Sequence, residues 1–286
     1  MASGPAGQTL APLPVQRCEA RGNVGPVTSG TPPEGRRAEA PALPATIVAC
    51  LFDLDGVLVQ TASLHASAWK ALFDAFLCER SRATGEPFQR FRLPEDYLAY
   101  VDGRLREDGV RSFLASRGIA LDEGRRDDPP TAETVNGLAT RKNRMLLELM
   151  EREGVDVYEG SVRFVEAARG AGLRRAVVSA SRNTRAVLAG AGIAGLFEVV
   201  VDGLVAERDG LAGKPRPDTF LAAAAELGVE PAHAAVFEDA VAGVEAARGG
   251  SFGYVVGVDR GAGAEALRAR GADVVVGDLA ELLEGR

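Results

Sequence analysis

Apolar and polar residues fall in blocks along most of the chain. Ile47-Val-Ala-Cys-Leu-Phe52 is a continuous apolar run, the texture of a strand buried on both faces. Similar runs follow at 175–178, 198–201, 234–237, 254–258 and 273–276. Helical spacing fills the gaps at 162–169, 184–189, 217–227, 241–248 and 264–270. Strands alternating with helices imply a parallel sheet covered on both faces. The expected fold is α/β, a doubly wound Rossmann-like parallel sheet.

The alternation stops between residues 62 and 157. Leu64, Ala68, Leu72 and Phe76 lie on one face of a predicted helix over 63–77, and 97–100, 109–116 and 139–152 also read as helical. The charged, proline-bearing stretch 122–134 reads as a surface loop. An all-helical cap inserted after the first strand sits over the carboxyl ends of the strands, where α/β proteins bind ligands. A lid there excludes water and closes on substrate. The expected division is therefore a catalytic core at 46–61 and 158–286 and a helical cap at 62–157. Residues 1–45 hold eight of the 15 prolines and few large apolar residues. They lack the apolar run of a secretory signal and are expected to be a disordered tail.

Composition narrows the function classes. The 286 residues are 46% hydrophobic and 26% charged, with 33 Lys+Arg against 40 Asp+Glu and a net charge of −7. That balance speaks against a nucleic-acid binder, which needs phosphate-neutralising surface. No apolar run is long enough to span a membrane. Cys18, Cys50 and Cys78 are odd in number and without a C-x-x-C pair, so neither a disulfide framework nor a zinc site is expected. The expectation is a cytoplasmic protein, most simply a monomer.

Candidate chemistry clusters where strands end. Asp53-Leu-Asp-Gly56 closes the first strand. Asp53 and Asp55, two positions apart in extended chain, can project to one side, although D-x-D-G is also an ordinary turn. Glu238 and Asp239 follow the 234–237 strand. Carboxylates converging from neighbouring strand ends call for a cation, and an oxygen-only set suits Mg²⁺. The plainer alternative is a cap on the next helix. Ser179, the backbone N–H groups around Ala180, and Asn183 could take phosphoryl oxygens at a helix start, or serve simply as a cap. Lys214 lies in Gly213-Lys-Pro-Arg-Pro217, which is not a nucleotide P-loop because Pro215 stands where Ser or Thr is needed; alone it reads as a surface charge. Gly261-Ala-Gly-Ala-Glu-Ala266 imitates a dinucleotide fingerprint but follows a late strand, and reads as a helix start.

Taken in order, D-x-D-G, Ser, Lys and Glu-Asp resemble the haloacid dehalogenase superfamily of phosphotransferases. The matching pieces are Phe52-Asp-Leu-Asp-Gly-Val-Leu58, Val178-Ser-Ala-Ser-Arg-Asn183, Gly213-Lys-Pro-Arg-Pro-Asp218 and Phe237-Glu-Asp-Ala-Val-Ala-Gly243. The resemblance spans about 47–282. It is greatest to the β-phosphoglucomutase-like subfamily, through Leu64-His-Ala-Ser-Ala-Trp-Lys70, Val101-Asp-Gly-Arg-Leu-Arg-Glu-Asp-Gly109 and Arg141-Lys-Asn143. It implies Asp53 as nucleophile, forming an aspartyl phosphate, and Asp55 as general acid/base. It implies Mg²⁺ held by Asp53, the Asp55 carbonyl and Asp239 with help from Glu238, and a phosphoryl cradle of Ser179, Ala180, Asn183 and Lys214. His65 and Trp69 would lie near the sugar, with Arg106 and Lys142 on the non-transferring phosphate. Trp69 as cap core and Arg106 as a surface charge are the plainer alternatives. The implied reaction interconverts β-glucose 1-phosphate and glucose 6-phosphate through a bisphosphate. A sugar-phosphate phosphatase is the close alternative, and a non-catalytic phosphosugar-binding protein a remote one. Two departures stand out: Gln60 precedes Thr61 where the family often has Asp, and Ala240 follows the acidic pair where it often has Ser.

Overall fold

A computed structural model describes residues 40–284. Its centre is a six-stranded, all-parallel sheet. Chain order begins with the short strand β1 (Ala40–Pro41) and then β2 (Ala49–Phe52), β3 (Arg174–Val178), β4 (Val199–Val201), β5 (Ala234–Glu238), β6 (Tyr254–Val258) and β7 (Val274–Val276). Across the sheet the order is β4-β3-β2-β5-β6-β7. All four residues of β2 are buried, because successive side chains enter opposite packed faces. Cys50 and Phe52 join Phe164, Val177 and Phe237 on one face. Ala49 and Leu51 join Ala176, Phe220 and Val236 on the other.

The expected strands all form, with the first starting at Ala49 rather than residue 47. Val48 is half exposed, yet its N–H still donates to the His233 carbonyl. Paired backbone also occurs ahead of the expected core. The proposed tail ran to residue 45, but Ala40 and Pro41 pair antiparallel with β8 (Leu283–Glu284). Residues 1–39 of that tail lie outside the described residues.

Between β2 and β3 come the helices α1 (Ala62–Thr84), α2 (Glu95–Tyr100), α3 (Arg106–Ser116) and α4 (Val135–Glu153), followed by α5 (Glu159–Gly170) under the sheet. The first four share an apolar cluster of their own, built on Trp69, Phe73, Phe91, Phe113 and Leu138. Ring centroids of Phe73 and Phe113 are 4.1 Å apart. Helix α4 starts four residues before the expected 139, because the Thr134 side chain accepts from Gly137 N–H and caps it. Residues 122–134 contain no helix or strand. The chain leaves and re-enters the core at one place: Val59 bridges Val157, Gln60 N–H donates to Asp156 O, and Tyr158 N–H to Leu58 O.

The remaining helices are α6 (Thr184–Gly190), α7 (Gly203–Asp209), α8 (Asp218–Leu227), α9 (Val241–Gly249) and α10 (Ala264–Ala269). Helix α7 was not expected from the apolar pattern. Its signal is Asp202, whose carboxylate accepts from Leu204 N–H (3.0 Å) and Val205 N–H (2.9 Å). Gly261 and Gly263 do open a helix: both N–H groups bond Asp259 Oδ1 ahead of α10. Among the described residues no helix is long and apolar enough to cross a membrane.

Candidate active site

Strand β2 delivers Asp53 to the carboxyl edge of the sheet at the point where strand order reverses. β3 and β4 lie on one side, β5 to β7 on the other; such switch points are where open α/β sheets bind ligands. The Asp53 N–H donates to Phe237 O at 2.9 Å, so the ladder to β5 fixes its backbone. The chain then turns through Gly56 at φ +81°. A Cβ there would lie 1.9 Å from Asp239 Oδ2, so only glycine allows the two loops to meet. D-x-D-G is thus a turn, and a turn that sets Asp53, Asp55 and Asp239 along one cavity. Arg260 props it from outside, donating to Gly56 O at 2.9 Å while stacking on Tyr158.

Lys214 is 3% exposed, not a surface charge. Its Nζ donates to Asp53 Oδ1 at 2.5 Å, to Val178 O at 3.3 Å and to Glu238. Glu238 is fully buried and spends its second oxygen on Ala240 N–H, at 2.9 Å. Both its oxygens are therefore occupied and it does not line the cavity. It anchors Lys214 and the backbone ahead of α9, directly before Asp239, where it was expected to help hold a metal. Ser179 lies beneath the cavity wall, its Oγ accepting from Ser181 N–H at 3.1 Å. Ala180 and Ser181 form the wall itself. Asn183 is not in it, because its Nδ2 donates across to Asn143 Oδ1 in α4, at 2.9 Å. Asn183 was expected in the phosphoryl cradle and lies two residues beyond the Ser181 wall.

The helical insert forms the opposite wall with His65, Trp69, Arg106 and Lys142. Trp69 is both cap core, stacked on Phe73, and cavity wall. Lys142 is 2% exposed; its Nζ lies 5.1 Å from the Trp69 ring centroid and 3.1 Å from His65 Nδ1. His65 Nε2 lies 3.5 Å from Asp55 Oδ1 and has no hydrogen-bond partner among the described residues. Thr61, capping α1, donates its hydroxyl to the same Asp55 oxygen. Gln60, in place of the familiar Asp, donates to Val157 O and ties the two connecting segments. Ala240 meets the insert at Gly103, where a Cβ would come within 3.0 Å of the alanine's. Tyr97 of α2 and Asp102 and Arg104 of the loop after it also line the cavity; the apolar pattern gave no hint of this, because their reach depends on how the insert packs on the core.

The two ends of the cavity carry opposite charge problems. At the core end, burial pushes the Asp53 and Asp239 carboxyls well above the usual range. Lys214 opposes this for Asp53, and neighbouring carboxylates add to it for both. Burial, then Glu238, brings Asp102 up to about 7. Burial alone would lower Lys214, but Asp53 and Glu238 outweigh it and keep it an ammonium. At the insert end, burial lowers Lys142 to about 7 and Arg106 to about 10, and burial with Lys142 holds His65 neutral at about 4. Among the described residues neither Arg106 nor Lys142 is paired with a carboxylate.

Comparison with known proteins agrees with this arrangement. Residues 47–250 match the haloacid dehalogenase-like hydrolase family. The chain belongs to that family. It is 56% identical over 250 residues to a β-phosphoglucomutase of Mycobacterium tuberculosis (strain CDC 1551 / Oshkosh), covering 86% of this chain and 95% of the relative. It is 32% identical over 237 residues to the β-phosphoglucomutase of Bacillus subtilis (strain 168), covering 82% and 91%. The crystal structure of a β-phosphoglucomutase from Clostridium difficile shares the fold, with a TM-score of 0.62, 24% identity and coverage of 82% and 93%. As a member of this family, the chain is an enzyme of the phosphotransferase and phosphatase type.

Proposed function

We propose that this enzyme is a Mg²⁺-dependent β-phosphoglucomutase, moving a phosphoryl group through an aspartyl phosphate on Asp53. The observation that carries this reading is the two-ended cavity. A nucleophile-bearing carboxylate end faces two cations, buried Lys142 and half-buried Arg106, across one cavity, and among the described residues neither is in an ion pair. A sugar with a phosphate at each end fits that polarity, whereas a simple phosphate ester needs only the core end. The similarity to β-phosphoglucomutases over most of the chain supports the same substrate class.

The aspartyl phosphate on Asp53 donates its phosphoryl group to the free hydroxyl of a bound sugar monophosphate, giving the bisphosphate; in the reverse step Asp53 attacks the phosphorus at the sugar's other end and that sugar oxygen leaves, restoring the aspartyl phosphate. Asp55 gives the proton to the leaving oxygen and takes it from the attacking one, held in place by Thr61 and faced by neutral His65. Lys214 fixes Asp53 from behind and offsets its charge. The Ala180–Ser181 backbone lies against the transferring phosphoryl, and Arg106 with Lys142 holds the other phosphate. After the first transfer the bisphosphate exchanges ends, so each phosphate meets Asp53 in turn.

The donor set fits a hard divalent cation. Asp53, Asp55, Asp102 and Asp239 line the core end, the buried Lys214 is shared with Glu238, and the carboxyls are pushed up by one another. Among the described residues no three side-chain ligands cluster, which leaves the rest of a coordination shell to backbone, water and phosphoryl oxygen, as Mg²⁺ prefers. Asp53, the Asp55 carbonyl and Asp239 would hold the ion. Bound there, it supplies positive charge to the transferring phosphoryl.

The test measures glucose 6-phosphate formation and free phosphate release together on β-glucose 1-phosphate, with and without bisphosphate primer and Mg²⁺. Isomerisation faster than phosphate release is expected; the opposite order establishes the phosphatase. Asp53→Asn is expected to abolish both activities, by more than about 10³-fold; retained turnover would remove the covalent route.

A further inference from the structure

A second cleft opens on the seam between insert and core, beside the phosphoryl wall. It is crossed by an alternating run of charges. Glu107 of the insert pairs with Arg182 of the core at 3.0 Å. Arg182 also pairs with Glu207 of the core at 3.0 Å. Glu207 in turn takes Arg126 of the insert at 2.6 Å. The run begins and ends on the insert and has its middle on the core, so it spans the seam twice. Its four charges sum to zero.

Each member is tied to the site. Glu107 follows Arg106 at the start of α3. Arg182 belongs to the loop that supplies Ala180 and Ser181 to the cavity. Glu207 lies on α7, and α7 is joined to that loop. Gly203 N–H donates to Ser181 O at 3.1 Å, and a Cβ on Gly203 would lie 2.7 Å from Ala180 O and 3.0 Å from Arg182 Cγ. The phosphoryl loop and the first turn of α7 therefore move as one body. On the insert side, Arg126 lies in the 122–134 loop, and that loop is anchored to α3 through Arg111 and Glu123 (2.8 Å). Arg182, Glu107 and Glu207 are shielded (29%, 17% and 24% exposed), whereas Arg126 is 75% exposed. The Arg182 fork is thus the strong part, since solvent weakens exposed pairs.

We propose that Glu207 is a positioning residue for phosphoryl transfer. By holding Arg182 between core and insert, it clamps the insert over the aspartyl phosphate and keeps water from it. The inference rests on the mutase reading given above. Water at the core end releases phosphate, while the bound sugar accepts it, so the grip of the seam sets the division between the two acceptors.

The experiment follows isomerisation and phosphate release together for wild type, Glu207→Gln and Arg126→Gln, with melting temperatures and hydrogen exchange of residues 122–134. Glu207→Gln is expected to raise phosphate release relative to isomerisation about fivefold, and Arg126→Gln about twofold, the scale of partly exposed ion pairs. Raising NaCl from about 50 to about 500 mM is expected to raise the ratio in wild type, because salt screens the run. It should move Glu207→Gln less, because only the Glu107–Arg182 pair is left across the seam to be screened. An unchanged ratio in a normally melting Glu207→Gln, or a salt response it fully retains, overturns the proposal. If Glu207→Gln does not fold, Arg126→Gln decides by the same two readouts. A wild type that forms no glucose 6-phosphate defeats the mutase reading instead. The clamp then stands or falls on whether Glu207→Gln speeds exchange in 122–134.

Discussion

Lys142 is buried beside His65 and within reach of the Arg106 charge, and burial lowers its ammonium to about 7. Only the protonated form attracts a phosphate, and that form is lost as pH rises through this value. The KM for sugar phosphate is therefore expected to climb above pH 7, by at most about tenfold per unit for one proton. Lys142→Met should give a high KM with little slope, measured as initial rates across neutral and alkaline buffers. At Gly56 the expected effect is geometric. Gly56→Ala places a methyl onto Asp239 Oδ2 at a φ that alanine disfavours. It should cut turnover at least about 100-fold, since an ångström of misplacement at a reacting centre costs that much, and should weaken Mg²⁺ binding in a titration. Asp53, Asp55 and Asp239 stood out in the chain because they lie just past strand ends, and Lys214 because it directly precedes the stiff Pro215-Arg-Pro217 turn. Glu238 was legible as an acid but not as one turned inward. Its direction depends on Lys214 reaching it from 24 residues away. Tyr97 in α2 and Asp102 in the following loop reach the cavity only through the placement of the insert on the core, which no local spacing encodes.

Helix α7 shows the same limit for an element. Seven residues with two glycines nearby give little apolar periodicity, so the helix is announced by Asp202 alone. That residue is fully buried, accepts two backbone N–H groups and pairs with Arg185 at 3.1 Å. Asp202→Ala is expected to cost about 1–2 kcal/mol, lowering the melting temperature by a few degrees in a chain of this size. Calorimetry checks it. The strands, by contrast, were plain in the sequence, because burial on both faces demands unbroken apolar runs. Helix starts were less plain. α3 and α4 begin three and four residues earlier than expected, at Arg106 and Val135, since their first turns are set by polar residues. The β1–β8 ribbon was invisible, two residues long and made across nearly the whole chain.

For the whole molecule, the sheet and the insert are built on separate apolar clusters. Every buried member of the two clusters on the sheet comes from outside residues 60–156, while the insert packs around its own aromatic rings. The connecting segments meet side by side at Val59 and Val157. The helical part is therefore a graft at a single point, and it can be excised. A short Gly-Ser splice from residue 59 to residue 157 closes a gap that one strand pairing already spans. The shortened chain is expected to keep the sheet's circular-dichroism signature and cooperative melting. It should still cleave a small phosphate ester in the open, slowly, and turn no sugar phosphate into its isomer.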